Sequence, residues 1–206
     1  MAAPTNGILS SFTQADGAPA NFVQGITAYS VPPTASNELT WPQFPSLIWN
    51  PSSFNADQEA FAQIKTHTGS MSFSLLLRWT NPNSGAESGI SVHATPDAPQ
   101  FAEAFNWVGG VGTLISYSNF IMDPGDIWMW ATVIGTTLSL YGGPDGLTWT
   151  LRTTWTTSVT GAGKIGLFNA NNGAGPYGTL DNFGGGSVIS PAFPMKRRRS
   201  RGTSWV

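Results

Sequence analysis

The nine Trp of this 206-residue chain are the side chains best suited to recognition chemistry. Carbohydrate binding needs aromatic rings that stack on the apolar face of a sugar, with amides or carboxylates beside them for the hydroxyls. Trp128 and Trp130 alternate, so on a strand both face one side, and Trp149 and Trp155 share a parity on the next long stretch. If that parity faces out, the four rings form a platform. If it faces in, they are core, and because large aromatics dominate cores the core reading is preferred. Ile127, Met129, Ala131 and Val133 make the alternate face apolar too. That strand is therefore expected to be covered on both sides, by a second sheet and by a loop or partner.

Catalytic sets are weaker. Glycoside hydrolysis needs two carboxylates about 5–10 Å apart across the sugar. The nearest pair is Asp57-Gln-Glu59, which reads as a solvated strand start, and Asp123 and Asp126 flank Pro-Gly and read as turn formers. There is no Cys and no Gly-x-Ser-x-Gly. Ser91 and His93 share a strand face, as many same-face neighbours do. No enzyme is expected. The basic run Lys196, Arg197, Arg198, Arg199 and Arg201, followed by Trp205, is the remaining cluster. It holds five of the nine basic residues, which leaves four bases against 11 acids elsewhere, net −7. An acidic body without a basic, aromatic-interleaved face argues against nucleic acid. The tail is instead expected to dock on the acidic surface of a neighbouring subunit.

The elements that would position these residues are strands. Only 10% of residues are charged, against about 25% in average proteins, while Gly (24) and Pro (15) are plentiful. Short β-branched and aromatic runs between turn formers predict an all-β sandwich or barrel. Strands are expected over 8–12, 23–31, 47–50, 59–66, 72–80, 89–95, 113–118, 127–134, 137–141, 147–156, 164–169 and 178–183, with the register of 59–66 open. A helical turn or two is expected near 99–107. Turns at Gly135-Thr136 and at Gly142-Gly143-Pro144-Asp145-Gly146 predict a three-stranded meander over 127–156. The domain is expected to span 1–189, with a Pro-flanked basic tail over 190–206. No run of about 18 apolar residues appears, so no membrane partner is expected. The start of the chain lacks a basic and an apolar signal region. Synthesis in a cytoplasm, with release by lysis if the protein acts outside, is the expectation.

An ordered set of motifs resembles the concanavalin A-like lectin/glucanase superfamily, in the laminin-G-like branch found in minor tail proteins of actinobacterial phages. The motifs are Phe12-Thr-Gln-Ala-Asp16-Gly17, Ser74-Leu-Leu-Leu-Arg78, Asp123-Pro-Gly-Asp126-Ile-Trp128, Ile134-Gly-Thr-Thr-Leu-Ser-Leu140, Asp145-Gly-Leu-Thr-Trp149, Gly163-Lys-Ile-Gly-Leu167 and Gly178-Thr-Leu-Asp181-Asn182-Phe183. Gln14 stands where the family usually has a base. The resemblance implies a two-sheet antiparallel β-sandwich, the concanavalin-like jelly roll, and a virion protein, a minor tail or tail-tip component or a head decoration, in a symmetric assembly with other virion subunits. A module that recognises host cell-surface glycans is the alternative. The Glu-x-Asp-x-Glu motif of glucanases with this fold is absent. The resemblance also raises a structural Ca²⁺ held by Asp181, Asn182 and Asp16. Against it stands the preferred reading, in which Asp181 caps a turn and Asn182 satisfies loop backbone.

Overall fold

A computed structural model describes residues 3–13, 18–26, 34–35, 38–40, 46–67, 72–95, 100–119, 122–169 and 178–188. The strands are β1 (Ile8–Ser10), β2 (Phe22–Gln24), β3 (Thr34–Ala35), β4 (Glu38–Thr40), β5 (Ser46–Trp49), β6 (Gln58–His67), β7 (Phe73–Thr80), β8 (Ser88–Thr95), β9 (Phe101–Val108), β10 (Val111–Asn119), β11 (Trp128–Ile134), β12 (Thr137–Gly143), β13 (Thr150–Thr156), β14 (Lys164–Phe168) and β15 (Gly178–Ser187). They form two antiparallel sheets. The first has eight strands in the order β13-β12-β11-β6-β15-β4-β3, with β1 also paired to β15. The second has seven, in the order β10-β9-β8-β7-β14-β5-β2. Among the described residues no helix is long and apolar enough to cross a membrane. The basic tail and Asp16 lie outside the described residues.

Alternation builds the core. Leu75, Leu77, Ile90 and Val92 of the second sheet meet Ala60, Ala62, Ile64, Met129, Ala131, Val133, Leu138 and Leu140 of the first. Each buried leucine there contributes roughly 2 kcal/mol. The strongly apolar β7 is the middle strand of its sheet. The predicted meander is present as β11-β12-β13. Its first turn has Gly135 at φ 56°, where a primed two-residue hairpin turn requires a positive value. The segment read as helical is β9. Ala102 and Ala104 enter the core while Phe101, Glu103 and Phe105 face the other way, a period of two.

Arg78 anchors one end of the sandwich. At φ 52° it bulges β7. Its guanidinium donates to the carbonyls of Ala56 (2.6 Å), Val159 (2.5 Å) and Gly135 (2.7 Å). Beyond the bulge Trp79 faces outward, although its parity with Leu75 and Leu77 would place it inside.

Candidate functional site

The register left open in the sequence decides this site. On β6, Ala60, Ala62 and Ile64 face the core, so Glu59, Phe61 and Gln63 face out. Across the outer face of the first sheet, Trp128 lies opposite Gln63, which lies opposite Asp181; Trp130 lies opposite Phe61, which lies opposite Gly184. A Cβ on Gly184 would come within 2.2 Å of the Phe61 ring. Trp130 stacks on Tyr141 (centroids 4.2 Å apart), and Trp149 meets Trp130 edge-on at 5.4 Å and Trp128 at 6.4 Å.

The core reading of the tryptophans is therefore corrected for three of the four. Trp128, Trp130 and Trp149 cluster outside the inter-sheet core. Trp155 is inside it and does not join them. The equal parity of Trp149 and Trp155 misleads because the register shifts between Leu140, opposite Thr153, and Tyr141, opposite Leu151. The extra residue, Arg152, reverses the side-chain direction. Trp130 and Trp149 are buried, while Trp128 stays partly open. The outer face of β11 is covered at Trp130 and Thr132, as expected, but Ile134 is exposed.

Two segments cover the cluster. The first is residues 3–8, held by Glu59, which is fully buried rather than a solvated strand start. Its Oε1 accepts from Thr5 N (2.6 Å), Asn6 N (2.7 Å) and Asn6 Nδ2 (2.8 Å), and its Oε2 from Trp130 Nε1 (3.2 Å). The second is the loop after β12. Asp145 Oδ1 accepts from Leu147 N (2.9 Å) and Thr148 N (2.6 Å), and these bonds hold its carboxyl below the usual range. Gly146, at φ 73°, lies against the Trp128 ring, 2.9 Å from where its Cβ would stand. Between the two segments opens a pocket of about 410 Å³, with Phe61, Trp128 and Trp149 among its walls.

Opposite Trp128 in the sheet register, Gln63 belongs to a polar strip. Asn182 Nδ2 donates to Gln63 Oε1 (2.6 Å) and to Asp181 Oδ2 (3.2 Å), and Asn182 N donates to Asp181 Oδ1 (2.7 Å). Burial pushes the Asp181 carboxyl up, against the pull of the Asn182 amide and Lys65. Asn182 takes φ 49° at a bulge in β15. Asp181 lies within β15 rather than at a turn, and it receives the backbone and side-chain amides of Asn182. A Ca²⁺ needs six or more oxygens. Among the described residues no group of three or more His, Cys, Asp or Glu gathers.

The other candidates lie elsewhere. Asp57 accepts from Gly135 N (2.8 Å). Asp123 and Asp126 shape their turn, with Asp126 accepting from Asp123 N, and both pair with Arg152 at 2.6 and 2.7 Å. His93 Nε2 bonds Ser91 Oγ at 2.8 Å, both buried on the outer face of the second sheet. Burial alone lowers the pKa of His93 to about 3. Sequence reasoning missed Phe61, Gln63 and Tyr141. Alternation in 59–66 was the available signal, but only pairing with β11 shows which parity faces out.

The two antiparallel sheets and their strand order define a β-sandwich of the lectin/jelly-roll fold. No protein-family model and no curated protein matches the sequence. The chain is similar in fold to the exoplasmic/lumenal domain of VIP36 in its Ca²⁺/Man2-bound form, with TM-score 0.61, 11% identity, and 91% of this chain and 90% of that one covered. It is similar to the CBM2 module of the evolved Dit of Lactobacillus casei BL23 phage J-1, with TM-score 0.56, 10% identity, and 89% and 96% covered. It also resembles xylan β-1,4-xylosidase of Bacillus halodurans C-125, with TM-score 0.55 and 10% identity, but spans only 39% of that chain. At such identities the likeness is one of fold.

Proposed function

We propose that the outer face of the first sheet binds carbohydrate, without cleaving it, in a module that places a phage particle on host-surface glycans. The observation that carries this is Trp128, partly open, seated in a packed aromatic cluster and adjoining the Gln63–Asn182–Asp181 strip. A sugar ring presents an apolar C–H face and polar edges, and this surface offers a ring for the first and amide and carboxylate groups for the second. Trp149, Phe61 and Gly146 already hold the Trp128 ring, so little side-chain entropy is lost on binding. Glu59 has its oxygens occupied by Thr5, Asn6 and Trp130, which leaves this carboxylate unsuited to acid–base work.

A shallow single site of this type has millimolar to micromolar affinity, about 4–8 kcal/mol. Many copies on a particle convert that into firm attachment. Two fold neighbours support the reading, the Man2-bound VIP36 domain and the phage CBM2 module. Attachment to other virion subunits through the tail, Lys196 to Arg201 with Trp205, belongs to the same proposal. A glycan array probed with the protein and with Trp128→Ala tests it. Binding to a defined set of glycans, lost in the variant, is expected. Uniform silence, or binding that survives the substitution, contradicts it.

A further inference from the structure

Beside Trp128 the pocket changes chemistry. Its mouth is flanked by Ile8 and Leu147, which are 55% and 81% exposed. Exposed aliphatics gain nothing by standing in water, yet both are positioned by specific bonds. Asp145 fixes the backbone of Leu147, and the Glu59 bonds to Thr5 and Asn6 fix the approach to Ile8. Apart from the indole N–H groups, Asn6 is the one polar side chain among the described residues of the lining, and its amide already donates to Glu59 Oε1 and to Ser187 O (2.9 Å). Among the described residues no charged side chain lines the pocket. Trp128 lines this apolar hollow and lies opposite Gln63 of the polar strip in the sheet register.

We infer that the pocket receives the methyl group of a methyl-bearing sugar, either a 6-deoxyhexose or an N-acetylated hexosamine, while the ring stacks on Trp128 and its hydroxyls reach Gln63 and Asp181. This rests on the carbohydrate reading and specifies its ligand class. The volume, about 410 Å³, is near the lower end for small-ligand sites and suits one sugar residue with its substituent rather than a long chain. Burying one methyl is worth about fourfold in affinity. A hydroxymethyl in its place would bring a hydroxyl without a partner into the hollow, which widens the difference to about tenfold.

Calorimetric titration with two matched pairs tests the inference: methyl rhamnoside against methyl mannoside of the same hand, and N-acetylglucosamine against glucose. A preference of about tenfold for the methyl-bearing member of one pair is expected, and the pair that shows it identifies the source of the methyl. In Leu147→Ser, an exposed change with an unaltered Tm, that preference should shrink below about twofold. Binding without preference in either pair overturns the inference and leaves the carbohydrate reading standing. A preference unchanged in Leu147→Ser overturns the pocket assignment. Absence of binding to every sugar, on the array as well, overturns the reading beneath it.

Discussion

Each sheet carries aromatic rings on the face turned away from the core, and the two clusters differ in one respect. On the first sheet Trp128 remains partly open beside a polar strip, with Leu147 and Ile8 exposed at the rim. On the second, Trp79, Phe168, Ile48 and Leu76 are all buried, and Trp107 packs against them. The polar groups there are closed in as well. Ser91 bonds both His93 and Trp107 Nε1 (2.9 Å), and among the described residues His93 Nδ1 has no hydrogen-bond partner, Glu103 Oε1 standing 3.7 Å away. Aromatic content on an outer face therefore does not define a site. One face works as a second core layer, and the other keeps one ring and several satisfied polar groups available.

The largest expected effect separates the faces by stability. Trp79→Ala removes a fully buried ring and should cost about 4 kcal/mol in urea denaturation, with glycan affinity unchanged in the folded fraction. Glu59→Ala should cost about 3 kcal/mol, because Trp130 Nε1 and the Thr5 and Asn6 amides lose their acceptor. Faster amide exchange at Asn6 would show residues 3–8 released. Next comes acid. The folded pKa of His93, about 3, lies below its ordinary 6.5, so the unfolded chain takes up this proton first. Stability is intact above pH 6.5 and falls as the pH drops toward 3, by roughly 2–3 kcal/mol between about pH 6 and about pH 4. Glu103, whose carboxyl burial raises, acts with the opposite sign. His93→Gln should flatten the acid limb of the denaturation midpoint, and an unchanged limb would deny His93 this role. Trp128→Ala has the smallest structural effect, about 1 kcal/mol, since the ring is only partly buried. Glycan affinity should nevertheless fall at least about tenfold by titration.

The legible parts of the fold were those with local signals. Gly135-Thr136 and the Gly-Pro-Asp-Gly loop announced the meander, and alternation placed Met129, Ala131 and Val133 on one face. β9 was misread because Ala102, Glu103 and Ala104 are helix formers, and the cross-strand pairing of Phe101 to Trp107 with β8 outweighs that preference. The site was half legible. Trp128 stood out by type, but its neighbours come from β6 and β15, about 65 residues before it and 53 after it, and no turn connects them. Bulges hid the rest, because Arg152 and Arg78 each reverse the parity on which a sequence argument depends.

The indole N–H signals of a ¹⁵N-Trp-labelled sample, followed during titration with a glycan that the array selects, test the central claim most directly. The account predicts that Trp128 and its neighbour Trp149 shift with a common saturation curve. Trp79, whose indole donates to Gly25 O at 3.1 Å, and Trp107 should stay in place. Shifts confined to Trp79 and Trp107, with Trp128 unmoved, would put the ligand on the other sheet and contradict it.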